Sequence, residues 1–481
     1  MDRRSIAKII KFLALIGLVI QAGFIIPLIT SFIYYNEYFI EYYILCTLFF
    51  LFLYFILYKV KLDLTIKEAI LSVNLVWILG GIIGAGALMV TSGVSFVDGF
   101  FESVSGFTTT GATIYTHISD LPKVTLMLRS TMHWLGGMGI IVLGIGIIAM
   151  INPTASLALF KSESTGISAT KITPKLKNTA ANLWKVYALI TILNIALLKI
   201  EGMNWFDAIN HAFATISTGG FSTKDASLGY WIHNPLILWT TTFFMTISAL
   251  NFVAHYKALK GDFSGYKSEE VKWFLIVFIL LSLALGFVHY FSSKDSLFFS
   301  MTNSFFTISS VISTTGFATL DYSQWGHLAI AIIFIAMLVG GNAGSTAGGI
   351  KVIRYVVMFK NLKYQIKKFL FPNAIFSIKV DKTPINANVL SHVGAFFFLY
   401  ILTNAIIALY LFASGYDALT SISAALASVG NIGPGFGLVG PADNFAFFTP
   451  LQKIILSIGM IIGRLECFTV IILFYKDFWK R

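Results

Sequence analysis

Four segments of the sequence share a pattern of small, polar and glycine residues that could bind a cation through backbone oxygen atoms. They are VDGFFESVSGFTTTGAT from Val97, FDAINHAFATISTGGFS from Phe206, TNSFFTISSVISTTGFA from Thr302 and YDALTSISAALASVGNI from Tyr416. In each segment an Asp or Asn comes early, and a glycine follows twelve or thirteen residues later. These glycines and the residues before them are Thr110–Gly111, Thr218–Gly219, Thr315–Gly316 and Val429–Gly430. Backbone carbonyls at such positions can replace the hydration shell of an ion.

The length of the segments supports that chemistry. Each is too short to cross a membrane as a helix, and an Asp, Asn or Ser near its start suits a helix N-cap. Each segment would therefore enter the membrane, end at its glycine and direct the negative end of its helix dipole there. A single Thr-Gly pair is more often a contact between packed membrane helices. Four copies in equivalent positions instead favour a cation selectivity filter on a pseudo-fourfold axis.

A further glycine-rich segment, GGNAGSTAGG, lies within a predicted span at 340–349. Its glycine and serine residues are Gly340, Gly341, Gly344, Ser345, Gly348 and Gly349. Each glycine in a helix costs about 1 kcal/mol relative to alanine. We therefore predict a broken helix whose intramembrane loop acts as a movable gate under the filter. Close helix packing is the alternative.

Arg464 is a charged residue well inside the last predicted span. A charge at the centre of a bilayer costs at least about 2.5–3.5 kcal/mol, so its side chain should face water or a polar partner. We predict that it lies in the pore below the filter, near Gly344 and Ser345, and helps to hold the gate shut. A structural bond to neighbouring carbonyls is the alternative. Glu466, the only carboxylate deep inside a predicted span, points to another helix face and is not placed to pair with Arg464.

Other polar residues near the segments have structural interpretations. Arg129 is expected to snorkel toward the outer surface or to brace the back of the filter. His133 is interpreted as a packing residue. Asp98, Asp207 and Asp417 are expected to cap helices, with attraction of cations to the outer mouth as the alternative.

The composition places these segments in a membrane. Of the 481 residues, 57% are hydrophobic and 12% are charged, whereas soluble domains average about 45–50% apolar and about 25% charged residues. Apolar runs long enough to cross the hydrocarbon core as helices occur at 11–32, 39–58, 69–91, 124–150, 181–200, 235–255, 272–291, 327–350, 391–413 and 451–475. These ten spans put both termini on one side. Cys46 and Cys467 indicate neither a disulfide framework nor a metal cluster.

The charges of the loops orient the chain. The net charge is +12, and most of the 34 basic residues lie in segments on the side of the termini. By the positive-inside rule, that side is the cytoplasm. The positive charge is therefore a topology signal and does not indicate nucleic-acid binding. We further predict that the basic stretch 351–382 docks a cytosolic partner, with a topology signal alone as the alternative.

The order of spans and segments predicts the fold class. It indicates an all-α integral membrane protein, with two leading helices and four helix–re-entrant segment–helix repeats around one pore. The leading helices occupy 1–68, and the repeats occupy 69–160, 161–260, 261–370 and 371–481. The third repeat contains the predicted gate loop.

The motifs resemble those of the Trk/Ktr/HKT superfamily of potassium transporters. The matching segments are TTTGAT at 108–113, ISTGGFST at 216–223, ISTTGFA at 312–318, GGNAGSTAGGIKVIR at 340–354, SVGNIGPGFG at 428–437 and IIGRLECF at 461–468. The resemblance covers essentially the whole chain, and the two leading helices point to its bacterial TrkH branch. It implies a potassium-translocating subunit in the cell inner membrane, with both termini in the cytoplasm and an intramembrane gate loop.

The resemblance also implies ligands and partners. K⁺ would bind the backbone carbonyls of Thr110, Thr218, Thr315 and Val429, and glycine at all four filter positions favours K⁺ over Na⁺. The fourth segment has Val-Gly in place of Thr-Gly, so its field at the ion is expected to differ. No organic cofactor is expected in this chain. A homodimer in membrane lipid is expected, on a ring of cytosolic RCK-type subunits of the TrkA kind that bind the regulatory nucleotide.

Three functional classes compete. A potassium-selective, channel-like transporter fits the repeated segments best, and an ion-coupled secondary transporter, a K⁺/H⁺ or K⁺/Na⁺ symporter, is the alternative. A relay of intramembrane carboxylates would favour symport, and Glu466 alone does not form one. An enzyme is not expected, because no catalytic grouping recurs within the spans. The GPGFG segment at 433–437 lacks the Gly-Lys-Ser/Thr ending of a phosphate-binding loop.

Overall fold

The computed structural model describes residues 3–137, Gly139, 176–385 and 387–480, and these residues are mostly helical. Their α-helices, numbered α1 to α19 in chain order, are Arg3–Gly23, Ile25–Tyr34, Glu37–Ile56, Ile66–Ser92, Phe96–Phe107, Lys123–Gly137, Leu176–Ile200, Trp205–Ile216, Pro235–Ser248, Phe252–Ala258, Glu269–Ser292, Leu297–Ile312, His327–Leu338, Val352–Leu370, Ala387–Ala413, Ala418–Val429, Pro450–Arg464, Phe468–Ile471 and Lys476–Trp479. Short 3₁₀ helices are Ser227–Trp231, Phe263–Lys267, Tyr322–Trp325, Gly437–Val439 and Ile472–Phe474. One antiparallel hairpin pairs β1 (Lys379–Val380) with β2 (Thr383–Pro384).

Several helices are long and apolar enough to cross a membrane. Among the described residues, α1, α3, α4, α7, α11 and α15 each meet this requirement alone. The pair α9 and α10 and the pair of α17 with residues 468–474 meet it together, although they bend by 102° and 113°. The prediction of an all-α, multi-pass membrane protein is confirmed.

Besides these two bent pairs, two further predicted spans are described as helix over only part of their length. The predicted span 124–150 begins as α6, but its second half lies outside the described residues, as do the predicted repeat boundary at 160 and the inner lysines Lys161, Lys171 and Lys175. The predicted span 327–350 is helical only as far as Leu338, where α13 ends. The backbone from Val339 to Lys351 is not helical, as predicted for the glycine-rich segment.

Four short helices, α5, α8, α12 and α16, lie between the spans. Each begins at an N-cap side chain that accepts a backbone hydrogen bond, and these caps are Ser95, Asn204, Ser296 and Asp417. Asp98 and Asp207 lie in the first turn instead. They pair with Lys453 (2.6 Å) and Lys224 (3.2 Å), respectively. Carboxylates in a first turn stabilise a helix through its dipole.

The short helices are largely buried within the bundle. In α8, every residue from Asp207 to Ile216 except the half-buried Ile209 is buried, and α16 is buried almost as completely. The long helices α3 and α15 bury few of their apolar side chains. Such apolar outer faces suit contact with lipid, so the architecture sets the short helices inside a lipid-facing shell.

Candidate functional site

The four short helices end in the same backbone geometry. The second residue after each helix has a left-handed conformation with φ between 52° and 56°, and these residues are Thr109, Thr218, Thr314 and Asn431. The next backbone N–H donates a hydrogen bond of 2.8–2.9 Å to the carbonyl five residues earlier in the helix. A glycine with φ between 84° and 97° follows, and these glycines are Gly111, Gly220, Gly316 and Gly433. This helix ending is of the Schellman type.

The four glycines bring the loops into a closed ring. A Cβ atom added to any of them would lie 2.0–2.8 Å from the carbonyl oxygen of the residue before the equivalent glycine in the next repeat. In order, the contacts are Gly111 with Gly219, Gly220 with Thr315, Gly316 with Ile432 and Gly433 with Thr110. Positive φ and this close approach both require glycine. We call the four pairs Thr110–Gly111, Gly219–Gly220, Thr315–Gly316 and Ile432–Gly433 the carbonyl ring.

In two of the four loops, the residues of the carbonyl ring differ from the predicted filter residues. Thr110–Gly111 and Thr315–Gly316 lie at the predicted positions. In the second repeat, Gly219–Gly220 takes the place predicted for Thr218–Gly219. In the fourth repeat, Ile432–Gly433 takes the place predicted for Val429–Gly430, because Val429 still belongs to α16 and Gly430 continues its right-handed backbone. The carbonyls of Gly219 and Ile432 therefore replace those of Thr218 and Val429 in the candidate set.

For the second repeat, a signal for this correction is present in the sequence. Gly111 and Gly316 lie thirteen residues after Asp98 and Asn303, whereas Gly219 lies only twelve after Asp207. Gly220 restores the spacing of thirteen. The fourth glycine belongs to the GPGFG segment, which is no phosphate loop but supplies the ring at Gly433.

The ring borders a cavity of about 130 Å³. All four ring glycines line this cavity, together with residues of the loops that follow these glycines in the chain. Asp225 and Asp443 also line this cavity. Burial raises the pKa of Asp225, but hydrogen bonds from Ser119 and from the N–H of Ile118 (2.5 Å) outweigh it and lower the pKa overall. Burial and the nearby Asp321 raise the pKa of Asp443. Asp225 is therefore ionised at neutral pH beside the ring.

A buried ion pair braces the first two loops from behind. Arg129 donates through Nε to Glu102 (2.7 Å), and both side chains are at most 1% exposed. The same guanidinium donates to the carbonyl of Ser222 (3.1 Å) in the second loop. Glu102 also accepts from the hydroxyl of Thr113 (2.9 Å) and the N–H of Ile114 (2.9 Å) in the first loop. The bracing position expected for Arg129 is therefore observed, while its partner Glu102 was missed in the sequence.

His133 also connects the first two repeats and is more than a packing residue. Its Nδ1 lies 2.7 Å from the carbonyl oxygen of Gly106, and its Nε2 lies 3.2 Å from the backbone nitrogen of Phe221. Because a carbonyl only accepts and an N–H only donates, these contacts require the neutral imidazole with its proton on Nδ1. The ring also stacks on Phe221 at 4.0 Å. His133 therefore fixes the residue that directly follows Gly220.

The glycine-rich loop, residues 339–351, contacts the second and fourth repeats as well as the short helix of its own repeat. The hydroxyl of Thr346 donates to the carbonyls of Ile216 (3.1 Å) and Ser248 (3.1 Å). The N–H of Gly348 donates to the hydroxyl of Thr314 (2.6 Å), and a Cβ added to Gly348 would lie 2.5 Å from the carbonyl oxygen of Gly430. The loop therefore lies against the helix ends from which the ring starts.

Arg464 links this loop to the first repeat. It is the last residue of α17, where its guanidinium donates to the carbonyls of Thr346 (2.9 Å) and Gly136 (2.8 Å). The side chain is only partly buried. The structure thus brings Arg464 to the loop, at Thr346 next to the predicted Ser345.

An ion pair also joins the segment that follows the loop to the segment that follows Arg464. Arg354, in the first turn of α14, forms an ion pair with Glu466, and its guanidinium lies 3.7 Å from the ring centroid of Phe396. Glu466 therefore pairs across the two segments and not with Arg464, as its position two residues away predicts. Glu466 and Cys467 both have positive φ values, 60° and 58°, where α17 breaks.

Buried carboxylates also occur outside the predicted spans. Glu102, Asp207 and Glu270 are among them, with 0%, 2% and 7% exposure. Each has fixed partners: Glu102 has Arg129, Asp207 has Lys224 and Thr223, and Glu270 accepts two backbone N–H groups. Glu270 precedes the predicted span 272–291, and Glu102 and Asp207 lie in re-entrant helices, so a search limited to the spans does not find them.

Short helices that end at one ring inside a lipid-facing bundle define a pore-loop membrane protein. Comparison with known proteins specifies the family. A family model described as TrkH, cation transport protein, matches residues 35–480. The chain belongs to this family of transport proteins, which confirms the resemblance of its motifs and the prediction that it is not an enzyme.

Individual relatives agree over most of the chain. The Trk system potassium uptake protein TrkH of Escherichia coli K12 is 36% identical over 432 residues, which cover 88% of each chain. The Trk system potassium uptake protein TrkI of Halomonas elongata is 37% identical over 390 residues, 81% of this chain and 79% of the relative. The crystal structure of the potassium transporter TrkH from Vibrio parahaemolyticus matches with a TM-score of 0.88, 31% identity and full coverage of both chains.

Proposed function

We propose that the chain is the potassium-translocating subunit of a Trk-type uptake system and that K⁺ passes through the carbonyl ring. The observation that carries this proposal is the closed contact of four glycine loops, each touching the next. The names of the relatives, potassium uptake proteins of several bacteria, support the choice of ion. The ligands in this proposal are the carbonyls of Thr110, Gly219, Thr315 and Ile432.

The physical basis of selectivity in this proposal is backbone oxygen held at fixed spacing. Carbonyl oxygens replace the water molecules that an ion loses on entry. The four short helices end directly before the ring, so the negative ends of their dipoles favour a cation there. Glycine at all four positions adds no side chain to the ring, and this supports K⁺ in preference to Na⁺.

We propose that the loop 339–351 and Arg464 form the barrier to K⁺ on the other side of the ring. The hydrogen bond of Arg464 to Thr346 and those of Thr346 and Gly348 to the helix ends support this role. The predicted gate residues Gly340, Gly341, Gly344, Ser345, Gly348 and Gly349 all belong to this loop. Its glycines allow a change of backbone conformation at little steric cost.

The assembly is part of the same proposal. The chain would act as a homodimer in the lipid of the cell inner membrane, with both termini in the cytoplasm. A cytosolic RCK-type subunit would bind the regulatory nucleotide, and this chain would bind K⁺ but no organic cofactor. The word "system" in the names of the relatives supports more than one component.

An ion-coupled K⁺/H⁺ or K⁺/Na⁺ symporter is the second candidate, because buried carboxylates are present at Glu102 and Glu270. Their fixed partners favour structural roles, so we rank channel-like passage first. K⁺ flux into liposomes that depends on an imposed pH or Na⁺ gradient, at constant membrane potential, would favour the symporter.

The test of the ring is ⁸⁶Rb⁺ flux into liposomes that contain the purified chain. We expect K⁺ to compete with Rb⁺ and equal concentrations of Na⁺ or Li⁺ to compete little. Gly111→Ser and Gly220→Ser should abolish this discrimination, because each adds a side chain at φ +84° within 2.2 Å of a ring carbonyl.

The matched control is Gly261→Ser. Gly261 also has φ +84°, but no heavy atom lies within 4 Å of an added Cβ. This variant carries the same backbone strain without the close approach, so its ion preference should stay that of the unmodified chain. Unchanged discrimination in Gly111→Ser and Gly220→Ser would show that the ring is not the selective element.

A further inference from the structure

Glu270 lies at the glycine-rich loop, although it belongs to a different helix. It is the second residue of α11 and is 7% exposed. Its Oε1 accepts the backbone N–H of Ala343 (2.7 Å) and the backbone N–H of Ile353 (3.2 Å). Ala343 lies near the start of the loop, and Ile353 lies just beyond its end. One carboxylate oxygen therefore joins the two ends of the loop.

The contact with Ile353 supplies a missing helix cap. The first N–H groups of an α-helix have no partner within the helix. At α14 the N-cap residue is Lys351, whose side chain makes no capping hydrogen bond. Glu270 provides the acceptor for one of these groups from another element.

The backbone of the loop is closed at the same place. The N–H of Gly340 donates to the carbonyl of Ile350 (2.9 Å), and the N–H of Val352 donates to that of Gly341 (3.2 Å). These two hydrogen bonds join the segment that enters the loop to the segment that leaves it. We call this closed end of the loop its neck. Glu270 adds a third connection across this neck, and it is the one that ties the loop to α11.

We propose that Glu270 is a positioning residue that clasps the glycine-rich loop in its closed arrangement against the ring. This inference rests on the proposed gating role of the loop for its effect on K⁺ flux, but the clasp itself does not. Loss of the carboxylate frees two N–H groups at the neck, so the loop separates from α11 more readily. The basal flux of K⁺ then rises through the freed loop.

The test combines two measurements on Glu270→Ala and Glu270→Gln. Hydrogen–deuterium exchange of the peptide 339–353 reports the clasp, and ⁸⁶Rb⁺ efflux from liposomes without a partner subunit reports the gate. We expect exchange of this peptide to be about tenfold faster in Glu270→Ala, because the hydrogen bonds of two backbone N–H groups are lost. Glu270→Gln keeps the shape and should give a smaller increase. Glu41→Gln, on the exposed face of α3, is the control and should change neither measurement.

The two readouts separate the clasp from the gate. Faster exchange with faster efflux supports both. Faster exchange with unchanged efflux supports the clasp and contradicts the gating role of the loop. Unchanged exchange in both Glu270 variants overturns the clasp, whatever the efflux. If Glu270→Ala does not fold, Glu270→Gln decides between these outcomes.

Discussion

At the scale of single residues, three of the four residues directly before the ring pairs have a backbone conformation that their side chains disfavour. Thr109, Thr218 and Thr314 are β-branched and still have φ of 54–56°. Such residues rarely adopt positive φ, and each such conformation costs about 1–3 kcal/mol. In the fourth repeat Asn431 occupies this position, and its amide donates to the hydroxyl of Thr110 (2.9 Å) in the first repeat. Strain of this kind persists only where the surrounding contacts determine the backbone. The contacts made by the residues behind the ring must therefore hold this backbone in place.

The first prediction concerns the ion pair behind the ring. Glu102→Gln keeps the size of the side chain but leaves the guanidinium of Arg129 buried without a counter-charge. Breaking one side of a buried pair costs about 3–5 kcal/mol. We expect a markedly lower melting temperature in detergent and a reduced preference for Rb⁺ over Na⁺, because Arg129 also holds Ser222 of the second loop.

A double variant serves as the control for this prediction. Glu102→Gln with Arg129→Met removes both charges, and replacing a buried pair by neutral groups of similar volume is often tolerated. The melting temperature should therefore recover in part. If Glu102→Gln alone melts at the temperature of the unmodified protein, the pair does not stabilise the loops.

At the scale of elements, the glycine-rich loop and the break in α17 act together. Arg464→Ala removes the bonds to Thr346 and Gly136, which join the loop to the first repeat. Hydrogen bonds from a charged donor are worth about 1.5–3 kcal/mol each, and about 1.4 kcal/mol is a factor of ten. We expect ⁸⁶Rb⁺ flux without a partner subunit to rise by about tenfold or more.

Conservative and distant substitutions check the role of Arg464. Arg464→Lys keeps the charge but loses the planar fork that reaches two carbonyls, so flux should rise less than in Arg464→Ala. Arg4→Ala removes an exposed charge near the N-terminus and should leave flux unchanged. A folded and inserted Arg464→Ala protein with unchanged or lower flux would make Arg464 a structural brace.

The elements also show what could be predicted from the sequence. Hydrophobic length and repetition identified the helices and the four short segments, and the run of glycines at 340–349 identified the loop. The loop register was not predictable from glycine alone, because ISTGG and GNIGPG each offer more than one candidate. The spacing of thirteen residues favours Gly220 over Gly219, but Gly430 also lies thirteen residues after Asp417, so only the φ values distinguish Gly433 from Gly430. Glu102 and Glu270 were missed because both lie outside the predicted spans, and only the packed structure brings their partners to them.

At the scale of the whole molecule, the predicted cytoplasmic side is physically joined to the loop. Glu269, next to the proposed clasp, forms an ion pair with Lys360 of α14 and donates its N–H to Asp381 (2.8 Å) at the turn of the β-hairpin. Lys360 also donates to the carbonyl of Lys379 (2.7 Å) in β1. A force on α14 or on the hairpin would therefore act directly on the end of α11 that holds the loop.

The basic C-terminal half of α14 is the predicted site where a cytosolic RCK-type subunit applies that force. Lys363, Lys367 and Lys368 are exposed there. Neutralising all three to Gln should weaken binding of the purified subunit. Exposed charge pairs contribute about 0.2–1 kcal/mol each, so three of them correspond to about a three- to hundredfold increase in Kd. The effect should shrink at high salt, because exposed charges are screened.

Membrane topology alone would also make this stretch basic, so the control must remove charge from the same side of the membrane. Lys59, Lys61 and Lys260 are exposed lysines of predicted cytoplasmic loops that lie outside α14. Their joint replacement by Gln changes the net charge by the same amount and should leave Kd unchanged. Equal weakening in both triple variants would mean that the partner senses only the overall charge of this face. Loss of insertion with intact binding in the α14 variant would mean that its lysines serve topology, and the docking site would then have to lie elsewhere on the cytoplasmic face.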